Sequence, residues 1–267
     1  MVVNNVDLRE ADHVEEVEGL LIRSSLYQVL SACYLYPEGE KLSFLKSEDF
    51  QELVDNLGKI NTCYHEAGDT SVLITFLKSV RAEFEKIDIE DLQSTYNRIV
   101  GHTISKDCPF YEGQYGAAHV HQQVHELADI QAFYRAFGLD ISEEEKERCD
   151  HVGVEFEFLQ FLLFKQAYAL ENHGREEAEV CLEAQKKFLK QHAGKWIPLL
   201  SILLGKKARE GFYFAVSELT KEFMKLEMKL LGVVTEMMKE SDLNQEEVAG
   251  APDECLSCAG FDGTESN

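Results

Sequence analysis

Residues 150–170, DHVGVEFEFLQFLLFKQAYAL, constrain the fold of this chain more than any other stretch. After Asp150 and His151 the segment is apolar on nearly every side. Val152, Phe156, Leu159, Leu163, Ala167 and Leu170 recur at helical spacing on one face. Phe158, Phe161, Leu162 and Phe164 cover most of the remainder. A helix that is hydrophobic all round belongs inside a protein, with other helices packed on it. Glu155 and Glu157 nevertheless sit in its first half, and carboxylates are rarely buried without a partner. The N-terminal end of this helix is therefore the candidate site: it meets either water or a cation.

The rest of the chain supplies helices to cover it. Period 3.6 runs through 13–35, 47–57, 72–87, 89–100 and 117–137, then 174–192, the apolar run WIPLLSILL, and 207–239. Asp88 is placed to cap the helix at 89, and Ser142 with Glu145 resembles a capping box before a short turn. No run alternates as a strand would, and no segment repeats. The expectation is a single all-α, bundle-like domain of nine to ten helices over residues 13–240. A flexible N-terminus (1–12) precedes it and an acidic tail (241–267) follows. The tail holds seven acidic residues and no basic ones, a composition expected to be disordered. One segment breaks the helical pattern: 101–116, GHTISKDCPFYEGQYG, is a loop, yet it carries Phe110, Tyr111 and Tyr115. Aromatics in a loop of this length plug it into a core, and such loops often carry function.

A net charge of −23 argues against a nucleic-acid partner and against attachment to anionic lipid. It suits a cationic partner. Seven cysteines, mostly far apart, and a polar first ten residues lacking the pattern of a signal peptide point to free thiols in the cytoplasm. The longest apolar run is too short to cross a bilayer, so no membrane insertion is expected.

Other constellations are weaker. His121 and His125 share a helical face beside His119, but a metal site needs a third ligand from elsewhere. Cys255 and Cys258 form a CxxC without a second pair, so no cofactor is assigned to them. Glu155 and Glu157 point about 200° apart on a helix and cannot close on one atom. No phosphate loop, dinucleotide motif or serine elbow is present, and the chain does not read as an enzyme. Asp150 is expected to cap the central helix. His151 would then lie at the positive end of the helix dipole, which favours a neutral ring.

CPFYEGQYG, a helix ending YRAFGL, and EEEKERCDHVGVEFEFLQFL together resemble the TorD/DmsD-type chaperones of redox-enzyme maturation. Pro109, Tyr111, Glu112 and Tyr115 match that family's loop, Tyr134 and Gly138 its helix end, and Asp150, His151, Glu155, Glu157 and Phe158 its Asp-His motif. Cys149 stands where the family usually has proline, and Ile99-Val100 where it has Leu-Phe. The resemblance covers about 96–165 and leans toward the nitrate reductase-associated branch. It implies an all-helical cytoplasmic chaperone, with no catalysis and no cofactor of its own. The implied partner is the apo form of a molybdopterin-dependent oxidoreductase, its twin-arginine leader, or both, before cofactor insertion and export. An oligomer is compatible with it. Peptide binding would fall to Asp150 for a leader arginine and to His151 for the loop or peptide backbone. Glu112 and Glu155 would form an acidic wall, and Tyr111 and Tyr115 would meet the apolar part of the leader.

Overall fold

In a computed structural model of the chain the run 150–170 does lie at the centre, Asp150 and His151 forming the turn that leads into the helix Val152–Asn172. The structure describes residues 5–59, 70–101, 105, 107–116, 120–139 and 147–243, with the backbone only for 5–12, 58–59 and 120–122. Ten α-helices occur among them: α1 (Asn5–Tyr34), α2 (Gly39–Leu42), α3 (Glu48–Lys59), α4 (Ser71–Lys86), α5 (Ile89–Val100), α6 (Val120–Ala136), α7 (Val152–Asn172), α8 (Arg175–Gln191), α9 (Ala193–Ala208) and α10 (Phe212–Leu230). No strand is present among the described residues; two isolated antiparallel bridges join Tyr111 to His151 and Tyr115 to Leu243. The all-α expectation holds.

The central helix is not buried on every side. Its predicted face is buried, as are Phe158 and Leu162, but Phe164 and Tyr168 are about half exposed and Glu157 faces out. Two residues, about 200° around the helix, therefore separate a fully buried carboxylate, Glu155, from an exposed one. On the buried side α1 runs antiparallel to α7. Leu35 lies against Gly153 at one end, the Ser24 hydroxyl donates to the Gln160 carbonyl at 3.1 Å in the middle, and Arg175 just beyond α7 pairs with Glu16 at 2.9 Å. On the other side α10 closes over α1. The Arg23 guanidinium forks onto Glu227 at 2.7 and 2.8 Å, and the Tyr27 hydroxyl donates to the same carboxylate at 3.2 Å. Such a buried pair adds little net stability, but removing one partner strands a charge, at about 3–5 kcal/mol. It fixes the register of α1 on α10. Around it, Tyr27 meets Phe223 edge-on at 4.7 Å and Tyr34 meets Phe110 at 5.2 Å, so the aromatic loop segment is tied into the core as expected.

Several boundaries differ from the periodicity. Helix α1 begins at Asn5, well before residue 13. The apolar run WIPLLSILL is helical throughout and carries Pro198 inside α9. The long last helix expected over 207–239 is two pieces. α9 ends at Ala208, and α10 stops at Leu230, where Gly232 adopts φ +63° and the amides of Gly232 and Val233 turn back onto the Lys229 and Met228 carbonyls. This is a Schellman stop, which a left-handed glycine permits at no steric cost. Apolar spacing continues past it through Val233 and Met237 and cannot reveal the break. Residues 233–239 instead run as an irregular strap: Thr235 Oγ1 donates to the Lys190 carbonyl, the Met238 amide to Lys195, and the Gly116 amide to Asp242. The loop 61–69, the Ser142–Glu145 capping box, His119, the side chain of His121 and the tail with Cys255 and Cys258 lie outside the described residues.

Candidate functional site

The strap ends against the loop 108–116, and that loop is bound to the start of α7. The Glu112 amide donates to the Asp150 carbonyl and the Val152 amide to the Phe110 carbonyl, both at 2.9 Å. The Tyr134 hydroxyl holds the Cys149 carbonyl at 2.8 Å from α6. These bonds fix the turn that a proline would otherwise stiffen, and Cys149 is simply buried there. Two segments nearly forty residues apart thus meet at one place. All six residues assigned to the site, Tyr111, Glu112, Tyr115, Asp150, His151 and Glu155, come together.

Most of them face inward. Asp150 does not cap α7. Its carboxylate, fully buried, accepts Arg148 Nε on Oδ1 at 2.9 Å and Arg148 Nη2 on Oδ2 at 2.7 Å, and Oδ2 also accepts the Gly113 amide at 3.1 Å. A Cβ at position 113 would stand 3.1 Å from that oxygen, so glycine lets the loop close on the carboxylate. The cap is His151, whose Nδ1 accepts the Gly153 amide at 3.1 Å. Its ring is neutral, as expected, but chiefly because burial, with Arg148 nearby, pushes its pKa down to about 3. The proton sits on Nε2, which has no hydrogen-bond partner among the described residues and lies edge-on between Phe110 and Tyr111.

The acidic wall expected of Glu112 and Glu155 is an interior chain instead. Glu155 accepts Trp196 Nε1 at 3.1 Å. Burial, and then the adjacent Glu112 carboxylate, raise its pKa well above the usual range, so Glu155 holds a proton. Glu112 faces His192 Nδ1 at 3.1 Å, and His192 Nε2 faces Asp129 Oδ2 at 3.2 Å. Asp129 is mostly exposed, so this chain of polar groups runs from the protein interior to the surface. Tyr115, expected to meet the apolar part of the leader, is buried: its hydroxyl donates to the Pro109 carbonyl at 2.8 Å, and its ring lies 5.1 Å from Trp196. Tyr111 alone of the six keeps a partly open ring. Its hydroxyl donates to Glu147 at 3.0 Å, and the Arg148 guanidinium lies 5.0 Å from its centroid.

Asp129 leads to a feature that the sequence did not show. An open, mostly apolar groove of about 730 Å³ lies between α6, α8 and residues 231–234, floored by Phe133, Phe137, Ala184, Leu231 and Val233. Lys186, Lys187 and Lys190 edge it, with Lys187 Nζ 5.2 Å from the Phe133 ring. Arg148, His192, Trp196 and Asp129 were likewise missed. Arg148 stands two residues before Asp150 and was within reach of local reading. The other three are joined only by the fold. No cluster of His, Cys, Asp or Glu with metal-binding geometry occurs among the described residues, and His125 is exposed. No described helix is long and apolar enough to cross a membrane.

The nitrate reductase delta subunit family model matches residues 64–201, which contain the whole loop, the Asp-His step, α7 and His192. The chain belongs to this TorD-type family. Similar proteins include a perchlorate reductase assembly chaperone protein of Dechloromonas aromatica, 31% identical over 99 residues, covering 37% of this chain and 43% of that protein. A chaperone protein TorD of Vibrio atlanticus is 28% identical over 103 residues, covering 39% and 46%. A selenate reductase assembly chaperone protein of Thauera selenatis is 36% identical over 72 residues, covering 27% and 36%. The matched part thus spans less than half the length of these relatives. The relatives are named as chaperones rather than as enzymes.

Proposed function

We propose that this chain is a cytoplasmic maturation chaperone for a molybdopterin-dependent oxidoreductase. It binds the apo catalytic subunit, through its twin-arginine leader, its mature part or both, and holds it until the cofactor is inserted and export can proceed. The observation that supports this reading best is the convergence of the 108–116 loop with the Asp150–His151 step beside an apolar groove. Glu112 belongs to both places, bonding Asp150 through its amide and reaching Asp129 on the groove through His192. An arginine-bearing, partly apolar segment has chemistry for each: carboxylate and aromatic surface at the loop, apolar surface in the groove.

The test is a pull-down with the full chain from its native extract, under conditions that block cofactor synthesis. Recovery of a cofactor-free molybdoenzyme subunit, reduced when its leader is deleted or its arginines are changed, is the expected result. Recovery of no such subunit, or of the mature cofactor-loaded form only, overturns the reading.

A further inference from the structure

Asp150 was assigned to a client arginine, yet an arginine already sits on it. We propose that Arg148 is an internal stand-in for that arginine, and that the Asp150 carboxylate is a guanidinium receptor loaded by exchange. The client half of this statement rests on the proposed function; the receptor half does not.

The geometry is that of a receptor in its occupied state. Both oxygens of Asp150 are used, by a two-pronged guanidinium and by one loop amide. The Asp150 side chain is 1% exposed and that of Arg148 42%, so the arginine is the half of the pair that meets solvent. Its guanidinium carbon lies over the Tyr111 ring, 5.0 Å from the centroid, and the Tyr111 hydroxyl donates to Glu147. Paired acceptors in one plane, an aromatic face and a second carboxylate close by match a guanidinium and match an ammonium poorly.

A purely architectural role explains this pair less well. Arg148 and Asp150 are two residues apart, so joining them closes almost no chain. The turn is already held by the His151 amide on the Arg148 carbonyl, the Glu112 amide on the Asp150 carbonyl, and Tyr134 on Cys149. The pair does keep a buried carboxylate from standing alone, which is costly. Exchange preserves that condition throughout: as a client arginine arrives, the half-exposed Arg148 swings out, and the carboxylate is never left bare. It also sets a threshold. Arg148 competes as a tethered ligand, at an effective concentration on the order of millimolar or above. An isolated arginine or a simple basic peptide, which a chain of −23 attracts, does not displace it; a segment that also fills apolar surface does.

Two readouts on the full chain separate the halves. In the first, Arg148→Ala protein is heated with increasing methylguanidinium at millimolar concentration. A rise in melting temperature is expected that is absent in the unaltered protein, absent in Arg148→Ala/Asp150→Asn, and absent with methylammonium. Arg148→Gln, which keeps one amide donor for the carboxylate, serves if the alanine protein does not fold. No selective response in either variant overturns the proposal whatever the client is. In the second, a fluorescent twin-arginine leader is titrated by anisotropy. At least tenfold tighter binding to Arg148→Ala than to the unaltered protein is expected, with simple basic peptides now binding as well. Equal or weaker leader binding overturns the stand-in role. A methylguanidinium response with no leader binding to any form leaves the receptor standing and refutes the leader reading instead.

Discussion

The Asp150 mouth and the groove beside it are opposite solutions to the problem of leaving part of a core open. At the mouth the polar groups are interior and, His151 Nε2 and Glu155 Oε1 apart, already partnered, and little more than Arg148, Tyr111 and Glu147 meets solvent. In the groove the apolar surface is open and the rim carries mixed charge: Asp129, Glu183 paired with Lys186 at 2.7 Å, and the lysines Lys187 and Lys190. The two sites differ in what they accept. A guanidinium is drawn to the first and gains little at the mixed-charge edge of the second, while an aliphatic side chain gains only in the second. Under the proposed function this is a division of labour along one peptide, with Glu112 and His192 as the wall between its two parts.

The sharpest way to break that division is Asp150→Asn. It keeps the shape and one acceptor but removes the charge that a guanidinium needs. Losing one side of a desolvated charge pair costs roughly 2–5 kcal/mol of binding, less what displacing Arg148 already takes from it. Leader affinity measured by anisotropy should fall accordingly, and its dependence on salt between low and moderate ionic strength should flatten. If the same loss follows from changes in the groove alone, the two sites are not distinct.

The second test uses pH, because titrating groups with resolved shifts are buried at the mouth. His151 is held near a pKa of 3 instead of its usual 6.5. The unfolded chain therefore binds a proton that the folded one refuses as pH falls below about 6.5, and stability is lost from there down toward 3, about 2 kcal/mol by pH 5. Arg148 adds to the effect. Glu155 has the opposite sign. Its raised pKa, caused by burial and then by Glu112, gives stability that is present at low pH and lost as pH rises. His151→Asn keeps a capping side chain and cannot take up the proton, so its urea stability should stay flat on the acid side. Glu155→Gln keeps an acceptor for Trp196 and a donor for Glu112, and should flatten the alkaline side. Unchanged pH profiles in both would place the titrating groups elsewhere.

These contrasts also show what could be read without coordinates. Helix positions followed the apolar period because core packing imposes it, and Asp88 caps α5 as expected, accepting the Asp91 amide at 2.9 Å. The meeting of the loop with the Asp-His step was legible only through the family motifs, since no local spacing links Glu112 to Asp150. What failed was orientation. A loop residue's exposure depends on which neighbours it finds, so Glu112 and Glu155 were read as an acidic wall and Tyr115 as a contact for the leader, when all three are interior. Asp150 and His151 exchanged their expected roles because one backbone turn decides which of two adjacent side chains reaches back to the Gly153 amide. The groove was invisible because it needs α6, α8 and the Gly232 stop at once, and the last of these hides inside an unbroken apolar period.

The groove half of the comparison predicts smaller effects. Val180 borders it at 62% exposure, so Val180→Asp should fold normally and cost leader binding about 1 kcal/mol. That loss should be insensitive to moderate salt, unlike the loss at Asp150. Smallest is the lysine rim. Reversing Lys187 and Lys190 to glutamate changes exposed charges worth roughly 0.2–1 kcal/mol each. The direction is what matters. If the rim excludes arginine, the double variant should bind simple basic peptides a few-fold more tightly and lose part of its preference for leaders that carry an apolar segment. The gain should vanish at high salt, where exposed charges no longer act across the groove. A uniform fall in leader binding with no gain for basic peptides would mean that the lysines contact the client directly, and that the groove recognises an acidic or backbone feature rather than screening against cations.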